Sequence, residues 1–184
     1  IGLQEGVHTA ATVNGLVLPA GNLFLADTFV NNDPTAEELA EITLMTAKEV
    51  SLFGIEPQIA LISHSNYGSN NTPSAVKMRN VLRLVKERAP ELAIDGEMHC
   101  DVALSQQLRD DVMPDSPLKG AANVLVMPNM EAARISLNLL QGTATPITVG
   151  PILMGLKKSA HILTSVASVR RIINMVAIAA VKAQ

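Results

Sequence analysis

The chain has 184 residues, 48% of them hydrophobic and 17% charged, with a formal net charge of −3. That balance excludes intrinsic disorder and calls for a large core. The core must be aliphatic, because aromatic residues make up 2% of the chain. An acidic balance with almost no stacking side chains also argues against a nucleic-acid partner. Cys100 is the one cysteine; it cannot close an internal disulfide and fits a reducing cytoplasm. Its neighbours His99 and Asp101 point away from it, so Cys100 reads as a buried small hydrophobe and no metal site is expected.

Residues 1–15 lack the basic start and apolar stretch of a secretory leader. The most apolar segment, 172–181, is too short to span a bilayer, so no membrane partner is expected. The chain opens at Ile1 in strand-like sequence without a methionine, which reads as a fragment of something longer.

Two apolar runs, 13–18 and 23–30, flank Pro19-Ala20-Gly21-Asn22 and predict a hairpin. A helix is expected next, with Asp33 as N-cap, Pro34 at its first position and Gly54 closing it. Residues 58–63 predict a short buried strand, followed by the polar loop 64–71. Thr72 and Pro73 then open a helix whose Met78, Val81, Leu82, Val85 and Ala89 share one face. A short strand is expected over 92–94, a helix over 101–112 and a buried strand over 124–127. Beyond these lie a helix over 130–140, a short extended run at 147–149 turned by Gly150-Pro151, and a buried last helix over 168–183. Short strands alternating with helices predict an α/β fold with a mainly parallel sheet.

The glycines never fall as G-x-G, and no phosphate loop, HExxH, CxxC or GxSxG elbow is present. Two features remain. The first is the loop containing Ser63, Ser65, Asn66 and Gly68 between a buried strand and a helix start. It reads either as a ligand loop at the carboxyl end of a strand or as ordinary turn chemistry. The second is Arg170 and Arg171 in the first turn of the last helix, where cations oppose the helix dipole. Their placement calls for an anionic partner, either a ligand phosphate or a carboxylate elsewhere in an assembly. Neither Glu97 nor Asp101 can be assigned as an acid or base from spacing alone, because Gly96 reads as a strand-to-helix turn.

Several blocks, in order, resemble the phosphate acetyl/butyryltransferase family over essentially the whole chain. They are NNDPTAEELAEI (31–42), ALISHSNYGS (60–69), IDGEMHCDVALS (94–105), NVLVMPNMEAARISLNLLQ (123–141), TVGPILMGL (148–156) and NMVAIAAVKAQ (174–184). The resemblance implies a three-layer α/β/α fold of the kind shared with isocitrate and isopropylmalate dehydrogenases. It also implies that residues 1–150 are most of a second subdomain and that 151–184 return to a first. Within the family, ISHSNYGS, DGEMHCDVALS and HILTSVASVRRIINM look like the transferase-like tail of large bacterial NADP-dependent malic enzymes.

Active members carry a Ser-Arg pair after the GPI segment and an Asp several residues on. In this sequence Thr164 takes the serine position, Ser165 the arginine and Arg171 the aspartate. Acyl transfer between a thiol and phosphate needs a base and a nearby positive charge. Thr164 keeps a hydroxyl, but Ser165 has no charge and Arg171 accepts no proton at neutral pH. The departures imply that no catalytic residue survives. The resemblance then implies an acetyl-CoA-binding regulatory region that inhibits the attached malic enzyme and takes part in self-association. Arg170 and Arg171 would meet CoA phosphates, and Ile152, Leu153 and Met154 would wall the thioester end. NADP and Mg or Mn would bind in the malic enzyme part, outside these residues. An active phosphate acetyltransferase and a pure oligomerisation module are the rival readings.

Overall fold

The computed structural model describes residues 1–163, 165 and 167–183. β1 (Ala11–Leu18) and β2 (Gly21–Ala26) form the expected hairpin, with Leu18 paired to Gly21 across a Pro19-Ala20 link. α1 (Ala36–Leu52) leads to β3 (Ile59–Ile62), and α2 (Pro73–Arg88) to β4 (Ile94–Met98). The short helices α3 (Cys100–Leu104) and α4 (Gln106–Val112) precede β5 (Val124–Val126). α5 (Met130–Ala144), β6 (Ile147–Met154) and α6 (Val169–Lys182) complete the order.

The six strands form one sheet in the order β4-β3-β5-β2-β1-β6. β2, β5, β3 and β4 run parallel, while β1 runs against both of its neighbours. One face is covered by α1, α2 and α6 through Leu39, Ile42, Val50, Met78, Val81, Val85 and Met175. The other is covered by α3 and α5 through Val102, Ala103, Ala133 and Leu137. The α/β class and the mainly parallel sheet hold.

Several expectations are corrected. α1 is capped by Thr35, not Asp33, because Thr35 and Glu38 form a reciprocal capping box that satisfies two first-turn donors. The strand expected over 92–94 is β4, and Gly96 lies inside it rather than turning the chain into a helix. Gly96 has φ +136°, and a Cβ there would lie 2.7 Å from the Leu61 carbonyl oxygen, so this register admits only glycine. The helix expected over 101–112 is two helices, because Arg109 bends back to donate to the Val102 and Ala103 carbonyls at 3.4 and 3.3 Å. Those carbonyls would otherwise have continued the helix. Gly150-Pro151 is no turn but part of β6, and α5 runs on through Gly142 to Ala144. Cys100 is exposed, since it opens α3 at the surface. α6 is not a buried helix: Met175 is its one buried residue, whereas Val169, Ile173, Val176 and Val181 are exposed.

Candidate functional site

In a parallel sheet the carboxyl ends of the strands gather the loops that hold ligands. The β3–α2 loop is built there around Glu97 of β4, a residue that spacing alone left without a role. Ser65 is fully buried and donates its hydroxyl to Glu97 Oε1 at 2.7 Å. The Gly68 N–H reaches the same oxygen at 2.9 Å and Arg79 Nη1 at 2.8 Å. Burial alone would raise the Glu97 carboxyl, but the Ser65, Gly68 and Arg79 hydrogen bonds outweigh it and hold it below the usual range. Arg79 also donates to the Asn70 carbonyl and to Asn71 Oδ1. Ser63 Oγ accepts the Ser65 N–H at 3.2 Å, and Asn66 Oδ1 accepts the His99 N–H at 2.7 Å. The polar groups that spacing offered to a ligand are thus engaged by the protein itself.

The second corner lies where β6 meets α6. Ser168 caps the helix by accepting the Arg171 N–H at 3.3 Å. Arg171 is half-buried and donates its Nε–H to the Gly150 carbonyl at 2.7 Å. Burial lowers the pKa of this guanidinium from its ordinary value, and it remains a cation at neutral pH. A cavity of about 280 Å³ is lined by Ile147, Thr148, Ser168, Arg170, Arg171 and Asn174. Among the described residues, no carboxylate lies within ion-pair distance of Arg170 or Arg171.

β6 ends the sheet and pairs on one side, with β1. Pro151 has no N–H to leave open, and the Leu153 N–H donates to His161 Nδ1 at 3.2 Å. Burial first, and Lys182 second, lower the His161 pKa. Ile152 and Met154 point into the core beneath α1, while Leu153 is half-buried on the alternate face. Ser165 is exposed, and Thr164 lies outside the described residues.

The two corners are not brought together. β3 and β6 are separated by β5, β2 and β1, about 19 Å at ordinary strand spacing. The arginine cavity also opens at the start of β6, opposite the carboxyl ends where the Glu97 loop sits. Sequence reasoning found the arginines through their cost to the helix dipole. It left Glu97 without a role, because the groups that fix its carboxylate, Ser65, Gly68 and Arg79, come from the β3–α2 loop and α2, far from it in sequence.

The family model described as phosphate acetyl/butaryl transferase matches residues 1–180. The chain belongs to that family. An NADP-dependent malic enzyme of Escherichia coli (strain K12) is 64% identical over all of this chain, which spans 24% of that protein. A phosphate acetyltransferase of Haemophilus influenzae is 33% identical over 97% of this chain and 25% of its own length. Among solved structures, a phosphotransacetylase from Streptococcus pyogenes superimposes with a TM-score of 0.94 at 32% identity. It covers 100% of this chain, which amounts to 56% of that structure. The chain is therefore a phosphate acetyl/butaryl transferase-family region similar to about a quarter of the malic enzymes it matches. No helix among the described residues is long and apolar enough to cross a membrane.

Proposed function

We propose that this chain is a non-catalytic, acetyl-CoA-binding regulatory region of an NADP-dependent malic enzyme. One observation carries the reading: Arg171, at the position where the family resemblance expects an aspartate base, is a half-buried cation fixed on the Gly150 carbonyl. A guanidinium so held accepts no proton from a thiol. Ser165, at the expected arginine position, supplies no charge to stabilise a developing oxyanion. What the corner keeps is affinity for an anion: two cations without a carboxylate partner among the described residues, on the first turn of a capped helix. The 64% identity with a malic enzyme over the full chain supports the choice of parent.

In this reading the region senses acetyl-CoA and inhibits oxidative decarboxylation in the same cytoplasmic protein. NADP and Mg or Mn act in the part outside these 184 residues. Residues 1–150 form most of one subdomain of the transacetylase unit, and 151–184 return toward the other. The outward face of α6 supports that return and suits self-association as well. Val169, Ile173 and Val176, 73%, 61% and 60% exposed, leave an apolar stripe without a cover. The test is a titration of acetyl-CoA into the full-length protein, with malate oxidation and thiol release followed in parallel. Saturable binding and inhibition without thiol release are expected. Turnover that depends on Arg171 would restore the active phosphate acetyltransferase instead.

A further inference from the structure

The cavity at the start of β6 is lined by side chains that donate, with no carboxylate among them. Thr148 comes from β6, Ser168 from the cap of α6, and Arg170, Arg171 and Asn174 from the helix itself. Asn174 follows Arg171 by three residues and Arg170 by four, which puts all three on one side of α6. It is the one polar residue between Ile172 and Val181, and helix propensity does not favour an asparagine there.

The hydrogen bonds of this corner leave donors over. Thr148 Oγ1 accepts from Gln141 Nε2 at 3.3 Å, and Ser168 Oγ accepts the Arg171 N–H at 3.3 Å. Each hydroxyl therefore keeps its own proton to give. Arg171 spends its Nε–H on the Gly150 carbonyl at 2.7 Å, which fixes the guanidinium and leaves its terminal nitrogens to donate. Among the described residues, neither the Arg170 guanidinium nor the Asn174 amide is engaged by a protein partner.

Resting on the acyl-CoA reading above, we propose that this cavity takes a diphosphate, the bridge of a CoA ester or of a nucleoside diphosphate, with Asn174 and Thr148 as recognition residues beside the two arginines. A carboxylate from a neighbouring subunit offers two oxygens in one plane and would leave most of these donors unpaired. A diphosphate spreads its acceptor oxygens over two tetrahedral centres and brings the charge that answers two cations. The size agrees. At about 280 Å³ the cavity falls below the roughly 300–1,000 Å³ of pockets that enclose a whole small ligand, so it holds this fragment alone. Ile152 and Met154, expected to wall the thioester, lie in the core and not in this cavity. The ligand is thus held by its bridge and not by its acyl group, and free CoA competes with acetyl-CoA.

The experiment is calorimetric, without divalent metal and at constant ionic strength, on the full-length protein and its Asn174→Asp variant. That variant keeps the shape of the side chain and sets a negative charge in the cavity. Pyrophosphate should bind the wild type, and bind Asn174→Asp at least about tenfold more weakly, the scale of one charge-assisted hydrogen bond. Pyrophosphate and free CoA should each displace acetyl-CoA from the wild type, and citrate should not. Displacement by ADP as well supports a site open to either source of the bridge; displacement by CoA without ADP supports the CoA bridge. Equal pyrophosphate binding by a folded Asn174→Asp, or citrate displacing as well as pyrophosphate, overturns the inference and leaves the regulatory reading standing. Acetyl-CoA unbound, with pyrophosphate still bound through Asn174, overturns the regulatory reading and keeps the diphosphate site. Thr148→Val, nearly isosteric, covers the case in which Asn174→Asp fails to fold. It should weaken pyrophosphate severalfold, and an unchanged affinity overturns the assignment. If the donors instead meet a neighbouring subunit's carboxylate, pyrophosphate does not bind and Asn174→Asp changes sedimentation, which also overturns it.

Discussion

Arg79 reaches from α2 to donate to Glu97 Oε1 at 2.8 Å, and Glu97 is fully buried on β4. The pair fastens the β3–α2 loop to the edge of the sheet, with Ser65 and Gly68 on the same oxygen. Removing the cation leaves a buried carboxylate short of its charge partner. Arg79→Met is expected to cost about 2–3 kcal/mol, below the roughly 3–5 kcal/mol of a fully buried pair because the arginine is partly in water. Urea unfolding should show a lower midpoint at an unchanged slope.

The pH dependence of stability follows from two depressed groups. His161 is held below its ordinary 6.5 by burial and Lys182. Glu97 is held below its ordinary 4.5, because the bonds from Ser65, Gly68 and Arg79 outweigh burial. In both cases the unfolded chain binds the proton first, so stability is fully present above the ordinary value and falls as pH drops through it. Stability should decline below pH 6.5 through His161, and further below 4.5 through Glu97. Thermal unfolding across that range checks it. His161→Gln should flatten the upper part and Glu97→Gln the lower, and a wild type equally stable throughout would contradict the assignment.

Gly96 carries a stability prediction of its own. With φ +136° and the Leu61 carbonyl oxygen 2.7 Å from any Cβ, Gly96→Ala pays about 1–3 kcal/mol for conformation alone. The contact adds to it. The unfolding midpoint should fall accordingly. An alanine variant as stable as the parent would show that β4 does not need this glycine.

Much of this architecture was legible in the sequence, for reasons that differ by element. α2 was readable because Met78, Val81 and Val85 keep helical spacing and are all buried. The β1–β2 hairpin was readable because two apolar runs meet at Pro19-Ala20. Residues governed by distant partners were not readable. The break between α3 and α4 is made by Arg109 folding back on carbonyls 6 and 7 residues earlier. Gly96, expected to turn a strand into a helix, is a strand residue because Leu61 lies across from it. The arginine corner was found from helix-dipole cost, but its link to Gly150 depends on β6 continuing through Pro151. The opposite mistake was made on α6, whose apolar composition predicted burial that the described fold supplies at Met175 alone.

The apolar face of α6 yields a test of assembly. Ile173 and Val176 are 61% and 60% exposed and lie on one side of the helix. Ile173→Lys should leave the unfolding midpoint of the isolated region nearly unchanged, within about 0.5 kcal/mol. In the full-length protein it should weaken association by about 1.5–3 kcal/mol, the worth of one buried aliphatic side chain. Analytical ultracentrifugation of both forms reads this. Unchanged assembly would remove α6 from any subunit or subdomain contact.

Arg171 is the most direct handle on the ligand. Arg171→Ala should weaken acetyl-CoA binding by about 1.5–3 kcal/mol, the range of a charge-assisted hydrogen bond. Unchanged affinity would leave the guanidinium a closure for the β6 edge at Gly150 and nothing more.

The central claim is binding without turnover. The measurement that tests it is calorimetric titration of acetyl-CoA into the full-length protein, with phosphate present and thiol release recorded in the same samples. The account predicts saturable binding, no thiol release, and loss of affinity in Arg171→Ala. Thiol release that disappears in Arg171→Ala, or no binding at millimolar acetyl-CoA, would contradict it.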